Sequence, residues 1–202
     1  MAAPAEVTIQ NLNGRWVMQG ISWLVRKTIG LATVTLHVKQ YTDDAGNVHI
    51  DIAQTLTGGI PGTNEERILT WEKRDHTDHV FGNVVGQSRY VRGTTGADGK
   101  VRPEVDVQTK TGDEKEQEAV TKFLKGEILA DRSATEGFVV GEGEDFWVQN
   151  WVESVNDGWT AEQIWGFENV DGARRYTRRV VARNNGKIVM ARLVYDFVGP
   201  AE

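Results

Sequence analysis

The sequence predicts an all-β protein: a single up-and-down antiparallel β-barrel of about ten strands, with a short helical lid after the first strand. Two observations carry this. The first is a run of turn signals in the C-terminal half, Asn156-Asp157-Gly158, Asp171-Gly172 and Asn184-Asn185-Gly186. Asp-Gly and Asn-Gly supply the positive φ angles that tight hairpins need. They divide the chain into strands Asp145–Val155, Trp159–Val170, Arg174–Arg183 and Lys187–Phe197. The second is alternation within those strands. Thr160, Glu162, Ile164 and Glu168 share one face of the second strand, while Ala161, Gln163, Trp165 and Phe167 share the other. Charges on one side and aromatics plus an amide on the other suit a wet exterior and a large, partly polar interior.

The earlier elements follow in order. Asn11–Met18 reads as a first strand with a buried Trp16, after a flexible Met1–Gln10. In Gln19–Ala32, Ile21, Leu24, Val25, Thr28 and Ile29 fall at helical spacing, and with Trp23 they suit a helix across a barrel mouth. Met18 passes into Gln19-Gly20-Ile21 without a turn signal, as though a loop were missing there. Thr33–Thr42 and Asn47–Thr57 form a hairpin around Asp43-Asp44-Ala45-Gly46, and Gly58–Gly62 is a turn-rich connection. Glu65–Asp75 and His79–Arg92 make the next hairpin, with Gly93–Lys100 as its tip and Glu104–Thr109 as a shorter strand. Gly112–Ala119 reads as a charged loop, and Val120–Ser133 is ambiguous between strand and helical turn. Residues 11–198 then form one domain.

Composition bounds the function. A chain of 202 residues is long enough for a full core. A net charge of −6 and a pI near 5.3 argue against nucleic acid and against an anionic membrane surface as partners. No run approaches about 18 apolar residues, so no membrane span is expected. Zero cysteines removes disulfides, thiolate metal sites and a cysteine nucleophile, and with no apolar leader in Met1–Gln10 it suits a cytoplasmic protein.

His76-Thr77-Asp78-His79 is the closest approach to a metal motif, but it lies at a hairpin tip where polar residues solvate the turn, so no metal is assigned. His37 and His49 fall on outward faces, and no Ser-His-Asp triad is traceable. Trp147 and Trp151 share a face with Asp145, Gln149 and Glu153 that looks outward; Phe146, Val148, Asn150 and Val152 look inward. An exposed Trp147/Trp151 patch would show as a homodimer. Tyr176, Arg178, Val180 and Ala182 face in, against Arg175, Thr177, Arg179 and Arg183. An inward arginine costs several kcal/mol unless paired or hydrated. It points either to a carbonyl, carboxylate or phenolate guest or to an internal salt bridge or plug beneath Trp16. Arg192 is a candidate to pack on Trp16. Candidate lining residues are Trp23, Gln54, Asn150, Trp165, Phe167 and Tyr195.

The strand order, with its helical insertion after the first strand, matches the fatty-acid-binding-protein variant of the calycin, lipocalin-like fold. Particular segments carry a further resemblance: Asn13–Met18, Leu36–Tyr41, His49–Ile52 with Gln54-Thr55 and Gly58-Gly59, Glu162–Glu168 and Arg174–Arg179. Over about Asn11 to Val198 the chain resembles a fungal group of small lipocalin-like proteins of secondary metabolism. It is also similar to hetero-Diels–Alderases that join a tropolone quinone methide to a humulene-type terpene. The resemblance implies a longer segment after Arg15-Trp16-Val17-Met18. It also implies a cofactor-independent cyclase holding a hydrophobic small-molecule substrate. Such a cycloaddition needs two partners held at near-attack distance and protected from water. Arg178, Tyr176 or Gln163 would donate to the dienone oxygen, and an acid–base group would assist water loss to form the diene.

The alternative is a non-catalytic carrier of a lipid or terpenoid. Carboxylate carriers of this fold end in an Arg-x-Tyr pair. Arg192-Leu193-Val194-Tyr195 instead puts those side chains on opposite faces.

Overall fold

A computed structural model of the chain describes residues 1–19, 34–56, 58–78, 81–141 and 145–200. These contain eleven strands and one helix: β1 (Gly14–Met18), β2 (Val34–Thr42), β3 (Val48–Leu56), β4 (Ile60–Ile68), β5 (Arg74–Asp78), β6 (Gly82–Thr95), β7 (Val101–Pro103), α1 (Glu114–Leu124), β8 (Phe146–Ser154), β9 (Thr160–Val170), β10 (Ala173–Asn184) and β11 (Lys187–Gly199). The C-terminal meander follows its turn chemistry. Asp171 and Asn185 adopt φ of 51° and 48°, each followed by a glycine at 73° and 77°. Two successive left-handed residues match the right-handed twist of the strands they join.

Neighbouring strands pair antiparallel in the order β4-β3-β2-β1-β11-β10-β9-β8-β6-β5, with β7 on β6. The two ends of that order, β4 and β5, are consecutive in the chain. Trp71, at φ 61°, turns the corner between them. Its N–H donates to the Ser88 carbonyl (2.8 Å), and Thr70 bridges to Arg89. One run from Ile60 to Asp78 therefore serves β3 with its first half and β6 with its second, which curls the sheet into a barrel seamed at this corner. β4 starts inside the segment expected to be a turn-rich connection, and the corner divides the strand expected over Glu65–Asp75.

The ladder also crosses the junction where a loop was suspected. Met18 runs on into Gln19, whose N–H donates to the Val194 carbonyl at 2.8 Å. The helical lid with Trp23 falls on residues 20–33, outside the described residues, as does His79.

Trp16, fully buried, anchors the interior. Its ring lies 5.0 Å from Phe197, 5.2 Å from Tyr176 and 6.2 Å from Phe167, with its Nε1–H on the Leu12 carbonyl. Arg192, proposed to pack on Trp16, points outward instead and pairs with Glu168. Met1–Gln10, read as flexible, docks under this floor: Ala3, Val7 and Ile9 are buried, and Arg174 donates to the Pro4 and Val7 carbonyls. A small apolar residue at every few positions is enough to hold a short segment once backbone partners await it.

The exterior of β8–β10 is not wet. Asp113 caps α1 by accepting from the Glu116 N–H, and Glu114 and Glu116 in the first turn complement the helix dipole. The helix occupies the region expected to be a charged loop. Its Val120, Phe123 and Leu124 pack with Trp147, Ile164 and Val181 into a second core on the outer face of the barrel. Trp147 and Trp151 are therefore covered, at 2% and 8% exposure, and present no dimerisation patch. At Gly166 a Cβ would sit 2.6 Å from the Phe138 ring, so only glycine lets that ring reach the sheet.

Burying this face also buries Glu162, Glu168 and Arg179, and each of these three is fully hydrogen-bonded. Glu162 accepts from the Thr109 N–H and hydroxyl (both 2.8 Å), the Gln108 N–H and Gln149. Glu168 accepts from Arg179 at 2.8 Å through two nitrogens, from Arg192 and from Thr177. Arg179 spends its remaining nitrogen on the Phe123 and Ile128 carbonyls, tying the C-terminal end of α1 to the barrel wall. Burial pushes the Glu168 carboxyl up, but Arg179 and Arg192 outweigh it and hold its pKa below the ordinary value of 4.5. Removing one partner strands the other in a dry layer, at a cost of about 3–5 kcal/mol. Arg179→Met is expected to lower unfolding free energy by that amount in urea titrations. Because the Glu168 pKa is depressed by folding, its contribution is complete above its unfolded pKa and is lost as pH falls through the folded value. The gap between wild type and Arg179→Met should therefore narrow below pH about 4.5.

Candidate functional site

The side chains of the described residues do not fill the lumen above the Trp16 floor. A cavity of about 470 Å³ remains, in the usual range for a small-molecule site. Met18, Val34, Leu36, Val180 and Leu193 supply an apolar side, and Phe81 and Trp159 meet at its rim with ring centroids 6.0 Å apart. Gln54, Glu65, Arg67, Gln163, Arg178 and Tyr195 supply the polar side.

These polar groups are arranged around one guanidinium. Arg178 is 3% exposed. Its Nη1 donates to both Glu65 oxygens (3.2 and 3.3 Å), and its Nε donates to the Tyr176 hydroxyl at 3.0 Å. Its face lies 4.0 Å from the Trp165 ring centroid, a cation–π contact in a desolvated setting. Its Nη2 is buried with no hydrogen-bond partner among the described residues. Glu65 accepts in addition from Gln54 (2.7 Å) and Arg67 (3.2 Å), so its lone pairs are in use. What is left over at this wall is a donor.

The electrostatics keep each group in one state. Burial would raise the Glu65 pKa, but Arg178 and Arg67 outweigh it, and the carboxyl is held ionised below its ordinary value. Burial would strip Arg178 of its charge; the nearby Tyr176 and Glu65 reverse that and fix it as a cation. Burial pushes the Tyr195 phenol up to about 12 and Tyr176 higher still, although Arg178 pulls on both in the opposite direction. Around Arg178 there is thus a fixed anion, a fixed cation and two neutral phenols. Such a set orients and hydrogen-bonds; it does not shuttle protons near neutral pH.

The residues proposed from sequence separate into two groups. Gln54, Gln163, Arg178 and Tyr195 line the cavity. Tyr176, Trp165, Phe167 and Asn150 face inward as expected but lie below or beside it, where they act on the lining rather than on a guest. Tyr176 and Trp165 hold Arg178, and Phe167 packs under the Arg174 guanidinium (3.7 Å). Asn150 accepts from the Ser88 hydroxyl at 2.6 Å. Gln163 accepts from Trp165 Nε1–H at 2.8 Å, which leaves its amide nitrogen facing the lumen side of β9. The internal salt bridge foreseen for Arg178 is present, with Glu65 as the partner. Sequence reading missed Glu65 and Arg67. The glycines of residues 58–62 read as a loop, which hid a strand whose alternation brings Thr63, Glu65 and Arg67 to one face.

His76 reaches the cavity rim, whereas His49 bonds Asp43 in the β2–β3 turn and His37 meets Thr55. No cluster of three metal-ligating side chains occurs among the described residues. No helix of the described residues is long and apolar enough to cross a membrane. A second cavity, of about 460 Å³, lies outside the barrel between the β6–β7 hairpin and the end of α1. Two of the three cations that line it are engaged locally, Arg102 by Asp98 and Lys100 by the Glu136 carbonyl.

Two curated proteins match this chain over almost its entire length. One, from Mollisia scopiformis, is named probable pericyclase scpY; it is 29% identical over 214 residues, covering 98% of this chain and 96% of the relative. The other, from an Acremonium species, is named pericyclase pydY; it is 27% identical over 215 residues, covering 99% and 98%. No protein-family model matches the chain, and no solved structure does.

The protonation states lead to a direct test. In an alkaline titration followed by phenolate absorbance, wild type should show a tyrosine ionising near pH 12 that Tyr195→Phe lacks. If Tyr195→Phe instead removes an ordinary transition near pH about 10, the phenol is solvated and the lumen is wetter than described.

Proposed function

We propose that this chain is a pericyclase of fungal secondary metabolism that closes a ring on a hydrophobic substrate held in the barrel lumen. One observation carries the reading: a buried, permanently charged Arg178 whose Nη2 is an unpaired donor at the wall of a half-apolar cavity. The full-length relatives named pericyclases support it.

A cycloaddition turns π bonds into σ bonds with no atom gained or lost, so it asks for no proton shuttle. It asks for alignment of the reacting carbons and for stabilisation of charge that builds on a conjugated oxygen. The apolar wall of Val34, Leu36, Val180 and Leu193 provides the first. Arg178 Nη2, held by Glu65, Tyr176 and the Trp165 face, provides the second without moving. A hydrogen bond to a carbonyl oxygen lowers the acceptor orbital of the attached alkene and strengthens as negative charge develops there. The neutral Tyr195 hydroxyl is a second donor on the same wall. The finer reading is a hetero-[4+2] addition of a tropolone quinone methide to a humulene-type terpene, in which the quinone-methide oxygen takes the Arg178 bond. Since no group around Arg178 exchanges a proton near neutral pH, loss of water to form the quinone methide is not assigned to it.

The test uses a quinone methide released in situ from a tropolone precursor, with humulene as the partner. Wild type should give an adduct faster than background and enriched in one enantiomer. Arg178→Met should lower the rate constant about 10²-fold with the fold retained, and Arg178→Lys should fall between. A racemic adduct formed at the background rate removes the hetero-[4+2] reading. Tight binding of the same partners without turnover would make the protein a carrier.

A further inference from the structure

We infer that the substrate of this cavity carries an ionised oxygen acid, a carboxylate or enolate, attached to its apolar body, and that Arg67 and Arg178 bind it together. The inference rests on reading the lumen as the substrate site. It goes beyond that reading because ring closure by itself requires only a neutral carbonyl.

The argument is a charge count at one wall. Arg178 and Arg67 both bond the Glu65 carboxylate, at 3.2 Å each. Two fixed cations thus share one anion. The next carboxylate along β4, Glu66, borders the cavity only at its exposed mouth, where its charge also acts on Tyr41, and the third lining arginine, Arg183, offsets it in the count. The lumen wall therefore carries about one uncompensated positive charge. Each cation also holds an unused donor: Arg178 Nη2 and Arg67 Nε are buried without a partner among the described residues. The pattern recurs at the rim, where Arg183 Nε and the Thr160 hydroxyl, facing each other across the β9–β10 ladder, are likewise buried and unpaired.

Isolated buried donors are rare in folded proteins because each one costs free energy. Four around one cavity, three of them on guanidiniums, are an arrangement with its acceptor missing. A neutral carbonyl would satisfy one donor and leave the excess charge. An oxyanion satisfies two and neutralises it, in a low-dielectric wall where charge-assisted bonds are strongest. The opposite side of the lumen is aliphatic, so the guest is amphiphilic, with its acidic end between β4 and β10 and its carbon skeleton toward β2 and β11.

The experiment uses two probes of one shape, 8-anilinonaphthalene-1-sulfonate and N-phenyl-1-naphthylamine, which differ only in the anionic group. Fluorescence titration of the wild-type protein at pH 7 should give the sulfonate at least about tenfold tighter binding. Decanoate should displace it at lower concentration than decanol does. Arg67→Met should remove most of the preference while leaving the neutral probe's affinity unchanged, and Arg67→Lys should retain it. Equal affinity for the two probes, tighter binding of the neutral one, or binding of neither overturns the inference on wild type alone. So does an unchanged preference in a folded Arg67→Met. Turnover is scored separately: a clear anion preference in a protein that closes no ring refutes the pericyclase reading and leaves this one standing, and the reverse result does the opposite.

Discussion

The Glu65–Arg178 pair is the contact on which the interior depends. It joins β4 to β10 across the barrel, between residues 113 apart in sequence. Two charges taken from water into a lumen cost several kcal/mol each, and a bare pair of this kind often contributes nothing net to stability. Here the surroundings make up the difference. Gln54 and Arg67 complete the carboxylate, and the Tyr176 hydroxyl and the Trp165 face complete most of the guanidinium. What these contacts achieve is position. With three of its sides held, Arg178 presents Nη2 in one direction; Tyr176 beneath it rests on Trp16, and Trp165 packs edge-on against Tyr176. The aromatic floor thus supports the cation, and the cation defines the polar end of the cavity.

The barrel wall carries a second ionic centre on its other side. β10 alternates Arg178 inward and Arg179 outward, and the two arginines meet different fates. Arg179 is saturated: two nitrogens on Glu168 and one on the carbonyls at the end of α1. Arg178 is not. The outer arginine is part of a packed layer where an unpaired donor would only cost stability. The inner one borders space that a guest can occupy. On adjacent residues of one strand, the outer guanidinium has a full set of partners and the inner one keeps a donor at the cavity wall.

This chemistry suits a reaction that needs little from its catalyst beyond shape and a fixed field. Pre-organised donors are effective because no reorganisation is required as charge develops. Glu65 held ionised, Arg178 held charged and the phenols held neutral together form such a field. The same fixity makes this wall a poor acid–base catalyst near neutral pH.

The sequence by itself determined the barrel, because Asp171-Gly172 and Asn185-Gly186 admit few turns but hairpins, and alternation in β9 and β10 assigns an inside. It also determined that Arg178, Tyr176 and Gln163 point inward, since a period of two leaves each residue only one choice of face, whereas the two faces of the last strand, with Tyr195 on one of them, stayed open. It could not say what covers the outer face. Glu162 and Glu168 read as solvated because a charge pattern records the chemistry of a side chain and not the neighbour that buries it. The helix that covers them comes from residues 114–124, some forty positions earlier in the chain. Nor could it find Glu65 and Arg67. Their strand begins among glycines that imitate a loop, and Arg178 reaches Glu65 only when the barrel closes at Trp71. Local pattern is enough to set the faces of a strand. Which charges pair across the lumen, and which donor is left over, depends on closure, and closure is a property of the whole chain.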